Sequence, residues 1–140
     1  MHNKIILLVE DDAVDAMTVS KAFKDLRINV ALCHAKTGEA ALTRLRDSRT
    51  ELPSLILLDI NMPRMNGIEF LREVKQEPFL RKIPVVMLTT SDEEGDRTMC
   101  SSLGGAGYMV KPLDYKELLE IIRTIDLYWT MSRTPSMERP

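Results

Sequence analysis

At 140 residues, 44% hydrophobic and 29% charged, the chain suits one soluble globular domain with enough length for a proper core. A formal net charge of −2 excludes a module that grips nucleic acid through a broad basic surface, so no direct nucleic-acid partner is expected. The first apolar run, Ile5 to Val9, is too short for a signal-peptide core or a membrane span, and the expected place of work is the cytoplasm.

In chain order, short β-rich runs alternate with amphipathic stretches. "KIILLVE" (Lys4 to Glu10) is a near-continuous apolar run, the mark of a strand buried on both faces. The helix after it carries Ala16, Val19, Phe23 and Leu26 on one side, with Asp12 as N-cap and Asp15 in the first turn. "NVALCHA" (Asn29 to Ala35) is a weaker strand, and Thr37 caps a helix holding Ala41, Leu42 and Leu45. "SLILLDI" is the third strand. Asn66 and Glu69 then form a capping-box start to a helix with Ile68, Leu71 and Val74. "PVVMLT" (Pro84 to Thr89) is the fourth strand, followed by a weak helix over about Glu93 to Leu103, thinned by Gly95 and two serines. "GYMV" (Gly107 to Val110) is the fifth, and Asp114 opens the last helix. Five strand–helix pairs imply a parallel, doubly wound α/β sheet. One domain over 1–131 and a flexible tail over 132–140 are expected. Cys33 and Cys100 are far apart, without CxxC spacing or a histidine pair, and read as reduced packing thiols.

Sites in such sheets lie outside the carboxyl ends of the strands, beside the point where strand order reverses. Here those ends are polar. The first strand ends in Glu10-Asp11-Asp12, the third in Asp59, the fourth in Thr89-Thr90-Ser91 and the fifth in Lys111-Pro112. In the order 2-1-3-4-5, borrowed from known five-stranded folds of this kind, Asp11 and Asp59 face one crevice, with a hydroxyl and an ammonium to one side. Carboxylates about 4 Å apart near a surface repel by on the order of 4 kcal/mol, so one is protonated or a cation sits among them. Mg²⁺ suits one or two protein carboxylates with retained waters. Singly, Glu10 and Asp12 have a plainer reading as solvated loop acids, and Asp59 as a turn cap. Polar residues at four strand ends together argue against it.

Such a metal, a lysine and a threonine make a phosphoryl pocket, and Asp59 is the best nucleophile for an aspartyl-phosphate. Nothing resembles a P-loop or a GxGxxG turn after the first strand.

Together "LVEDD", "LLDINMPRMNG", "VVMLTTS" and "GYMVKP" resemble the receiver domain of two-component response regulators, over about Lys4 to Trp129. The resemblance implies a flavodoxin-like (βα)5 fold, and Asp59 as acceptor of a phosphoryl group from a partner sensor histidine kinase. It makes Glu10 and Asp11 the acidic pair at the metal, Asp11 and Asp59 direct ligands, and Glu10 a ligand through water. Asn61 adds its backbone carbonyl, and Lys111 holds a phosphoryl oxygen. Lys111-Pro112 is implied to be a cis peptide. Either Thr89 or Thr90 fills the hydroxyl role; the family's pattern, a hydroxyl at the strand terminus and then a small residue, selects Thr89. Tyr108 matches the switch aromatic, expected to turn inward when about 1.5 to 2 negative charges arrive at Asp59. Asn61 and Ser91 hold positions that tune dephosphorylation in the family. The only chemistry implied is the protein's own phosphorylation and dephosphorylation.

Within these residues no DNA-binding domain follows the receiver pattern, so output by protein contact or onward phosphotransfer is expected. His2 and His34 lack the setting of a phosphoacceptor histidine. In the last helix, Leu118, Ile121, Ile122, Ile125, Tyr128 and Trp129 form an apolar stripe. Tyr128 and Trp129 run past what a minimal receiver needs. An exposed pair would suit a homodimer or partner face on the last strand and helix, whereas an inward Trp129 would act as a lid. That Trp and the "FLRKIPVVMLTTS" stretch also resemble regulators paired with bacterial phytochrome kinases. A phosphohydrolase with an aspartyl-phosphate would need an acid two residues after its nucleophile, where Asn61 stands. A degenerate receiver would lack one of the site groups, and none is missing.

Overall fold

The structure, a computed structural model, describes residues 4–131; His2 and the tail expected over 132–140 lie outside them. Its strands are β1 (Lys4–Val9), β2 (Val30–Ala35), β3 (Leu55–Leu58), β4 (Val85–Thr89) and β5 (Gly107–Val110). Helices α1 (Ala13–Asp25), α2 (Gly38–Arg46), α3 (Gly67–Gln76), α4 (Glu94–Ser102) and α5 (Tyr115–Met131) alternate with them. All pairings are parallel and the order is β2-β1-β3-β4-β5, as expected for the doubly wound fold.

The apolar runs have a direct cause. In β3 and β4 every residue is buried, because successive side chains point to opposite faces and both faces are covered. Leu7, Val9, Ile56, Leu58, Val85 and Met87 meet α2, α3 and α4 through residues such as Leu45, Phe70, Val74 and Cys100. Ile6, Leu8, Leu55, Leu57, Val86 and Leu88 meet α1 and α5 through Val19, Phe23, Ile122 and Ile125. Cys33 and Cys100 are both free thiols, and burial pushes the Cys100 thiol up to about 11, which keeps it protonated and inert.

Helix starts follow their caps. The side chains of Asp12 and Thr37 accept from the backbone N–H groups of Asp15 and Ala40, each at 3.0 Å. Asn66 and Glu69 make a reciprocal capping box. Asn66→Ala is expected to lower stability by about 1 kcal/mol, read as a lower urea midpoint at unchanged slope. An unmoved midpoint would mean that the box does not hold the start of α3. By contrast, α4 has no side-chain cap and buries only Cys100, in keeping with its weak sequence signal.

Candidate functional site

The strands end level in pairs, β1 with β3 and β4 with β5, while Leu58 stands opposite Met87, so β4 runs two residues past the end of β3. Val9 pairs with Leu58 and Thr89 with Val110. The ladder runs one residue further, since Asp59 N–H donates to Val9 O and Glu10 N–H to Ala35 O, both at 3.1 Å. His34, an exposed residue of β2, donates from Nε2 to the Glu10 carbonyl at 2.7 Å, a structural role. The backbones of the two acids are therefore fixed by the sheet itself.

Glu10 is 2% exposed, Asp59 6%, and Asp11 faces solvent. Each offers a carboxylate oxygen, and these oxygens lie within 4.8 Å of one another. Lys111 Nζ donates to Glu10 Oε1, donates to Asp15 Oδ2 at 2.8 Å and stands 3.6 Å from Asp59 Oδ2. Burial, reinforced by the charge of Asp59, raises Glu10 to about 7 against the opposing pull of the Lys111 hydrogen bond. Burial also works to lower Lys111, but its bonds to Asp15 and Glu10 and the Asp59 charge outweigh it, and Lys111 rises to about 12. One ammonium thus faces an excess of carboxylates. Three hard oxygen donors with residual negative charge fit a divalent cation.

The surrounding loops carry the other expected residues. Asn61 N–H donates to Asp59 Oδ1 at 3.3 Å, while its side-chain amide donates to Thr90 Oγ1 at 3.1 Å. Thr89 is fully buried at the end of β4, and its hydroxyl oxygen accepts from Ser91 N–H at 3.2 Å. Ser91 donates to Asp96 Oδ2 at 2.6 Å, and the half-buried Tyr108 donates from its hydroxyl to Ser91 O at 2.9 Å. An open cleft of about 710 Å³ lies between the loops after β3 and β4, lined in part by Asn61, Thr90, Ser91 and Asp96.

One expectation changes and one that was left open is decided. The Lys111–Pro112 bond is trans, as are all peptide bonds among the described residues, so the cis expectation is corrected. Trans is the intrinsic preference of such bonds by roughly 0.5–1 kcal/mol. Here Lys111 N–H also continues the ladder, donating to Thr89 O at 2.7 Å. The aromatic pair splits. Trp129 packs partly buried against the α1/α5 side of the core, and Tyr128 is 59% exposed, with ring centroids 4.4 Å apart. Both sit at the opposite end of the sheet from the acids, where Lys4 Nζ donates to Trp129 O at 3.2 Å. Sequence reasoning left Asp15 as a first-turn helix acid and missed its bond to Lys111. The available signal was its place one turn into the helix that starts from the acidic loop.

A model of the response regulator receiver domain matches residues 6–123. The chain belongs to this family. It is similar to the response regulator Rcp1 of Synechocystis, 38% identical over 130 residues that make up 90% of this chain and 88% of that protein. In structure this receiver resembles the phosphorylated cyanobacterial phytochrome response regulator RcpA, with a TM-score of 0.90 and 32% identity over 96% of this chain and all of that one. It also resembles the Mn²⁺-bound form of Rcp1, with a TM-score of 0.86 and 36% identity over 95% of this chain and 99% of that one. As a receiver it is a signalling protein of the two-component class, and the same domain matches part of the hybrid signal transduction histidine kinase M of Dictyostelium discoideum, 33% identical over 86% of this chain. That Rcp1 structure holds Mn²⁺, and in this chain the cluster of Glu10, Asp11 and Asp59 fits a divalent ion. No described helix is long and apolar enough to cross a membrane.

Proposed function

We propose that this receiver carries its signal as an aspartyl-phosphate on Asp59, formed with Mg²⁺ from a phosphohistidine of a sensor kinase in the cytoplasm. The observation that carries this is the buried Asp59 carboxylate, beside those of Glu10 and Asp11 and 3.6 Å from the Lys111 ammonium. Bound Mg²⁺ would neutralise charge on the transferring phosphoryl group. Asp11 and Asp59 would hold it directly, Glu10 through water and Asn61 by its backbone carbonyl. Asp59 attacks phosphorus as the bond from phosphorus to the donor nitrogen breaks. Lys111 then holds one phosphoryl oxygen and the Thr89 hydroxyl another.

The added charge draws Thr89 toward Asp59, and Tyr108 exchanges its bond to Ser91 O for a more inward position. That shift remodels the face made by α4, β5 and α5, the output surface for a downstream protein or a phosphotransfer partner. Asn61 and Ser91 flank the site where an attacking water would enter and set the lifetime of the phosphate. The kinase has apolar anchors at the mouth of the site. Val14 and Met17 on α1 are each 71% exposed, and Leu113 after Lys111-Pro112 is fully exposed. The likeness to RcpA, a cyanobacterial phytochrome response regulator, supports a phytochrome-type kinase as that partner.

Acetyl phosphate with Mg²⁺ is expected to give a hydroxylamine-labile phosphoprotein, seen as a mobility shift on a phosphate-affinity gel. Chelation of Mg²⁺ should abolish it. A shift that survives chelation would overturn the proposal. For the output face we propose a second copy seated on the β5 edge and the exposed Tyr128 of α5. Phosphorylated wild type is expected to sediment as a dimer and Tyr128→Ala as a monomer. Monomers in both, with or without phosphate, would dispose of that interface.

A further inference from the structure

Lys111 faces more carboxylates than it bonds. An ammonium has three donors; here one goes to Glu10, one to Asp15 at 2.8 Å, and Asp59 stands just beyond hydrogen-bond reach at 3.6 Å. The two acids that hold it differ in setting. Glu10 is buried, so its bond to Lys111 has no water to replace it. The Asp15 side chain is 42% exposed, so water can take over its carboxylate when the ammonium leaves. Its backbone is fixed meanwhile, because Asp15 N–H donates to the Asp12 cap at 3.0 Å and anchors the first turn of α1. Asp15 is thus a firmly placed acid making a bond that breaks readily.

We infer that Asp15 is a positioning residue: it holds Lys111 in a resting place beside Asp59 but just out of hydrogen-bond reach of it, and phosphoryl transfer requires that bond to be given up. This rests on Asp59 as phosphoacceptor and Lys111 as phosphoryl ligand, as proposed above. In the transfer, an Asp59 oxygen bonds to phosphorus while the bond from phosphorus to the donor oxygen breaks. The departing acetate of acetyl phosphate keeps that electron pair. Lys111 turns from Asp15 toward the incoming phosphoryl oxygens, and the Asp15 carboxylate passes to solvent. Asp15 therefore stabilises the unphosphorylated state selectively and slows charging of Asp59. Its place on α1 between the exposed Val14 and Met17 puts this hold inside the surface a kinase would cover.

The test compares phosphorylation rates with acetyl phosphate and saturating Mg²⁺ for the wild type, Asp15→Asn and Asp15→Glu. Asp15→Asn is expected to react roughly three- to tenfold faster, and Asp15→Glu to stay near the wild type. Loss of a merely structural contact has no reason to accelerate the reaction. A second readout uses unphosphorylated protein, where the ¹⁵N signal of the Lys111 ammonium should shift in Asp15→Asn and hold in Asp15→Glu. An Asp15→Asn rate equal to or below the wild type, or an unmoved Lys111 signal, would overturn the inference. A wild type that takes no phosphate at all fails at Asp59 and removes this role with it, a result distinct from both.

Discussion

Gly67→Ala is expected to cost roughly 3 kcal/mol or more and to disorganise the site with the fold. A Cβ at Gly67 would lie 2.2 Å from the Asp59 carbonyl oxygen and 2.8 Å from Ile60 Cα, both backbone atoms that cannot swing aside. Gly67 N–H donates to Ile60 O at 2.9 Å, so α3 begins in direct contact with the turn that carries Asp59. The added methyl must displace the backbone of that turn, and with it the Asp59 carboxylate. Urea unfolding should show a much lower midpoint, and divalent-ion binding should weaken in parallel. Gly95 is the control. A Cβ there meets nothing within 4 Å, and Gly95→Ala in α4 should stabilise by about 0.5–1 kcal/mol. Equal, small effects at both glycines would contradict the close approach at Asp59.

The second large effect is a dependence of stability on pH. Glu10 is raised from its ordinary 4.5 to about 7 in the folded protein, by burial first and by the Asp59 charge beside it. Between those values the folded state binds more protons than the unfolded one, so stability falls as pH rises from about 4.5 to 7 and levels above it. The full drop is roughly 3 kcal/mol. Metal-free protein in chelator should therefore unfold at lower urea at pH 8 than at pH 5.5. A divalent cation competes with that proton, so added Mg²⁺ should stabilise more at pH 8 than at pH 5.5. Glu10→Gln should flatten the slope. A metal-free midpoint that rises across this range, or a slope unchanged in Glu10→Gln, would show that Glu10 is not the group responsible.

Most of the fold is legible in the sequence because its central strands are buried on both faces. Such strands leave runs like LILL and VVMLT, and their polar ends then stand out. The acids at Glu10, Asp11 and Asp59 and the cation at Lys111 are legible for the same reason, since strand order alone carries them to one crevice. What stayed hidden depends on side-chain reach or on small energies. Asp15 and Lys111 come from opposite ends of the chain, and nothing local marks their bond. The isomer of Lys111–Pro112 turns on less than about 1 kcal/mol, below what a dipeptide can declare. Sequence left Trp129 open between an exposed pair with Tyr128 and an inward lid, and α5 continues through both. Neighbours on a helix point about 100° apart, so one turns in and the other out.

The central claim is that Asp59 alone takes the phosphoryl group. The direct measurement is to charge the protein with acetyl phosphate and Mg²⁺, reduce it with borohydride and map the modified residue by peptide mass spectrometry. Borohydride converts an aspartyl-phosphate to homoserine, which marks its position permanently. Homoserine is predicted at residue 59 in the wild type, and none anywhere in Asp59→Asn. Homoserine at Asp11 or Asp12 in the wild type, or full charging of Asp59→Asn, would contradict it.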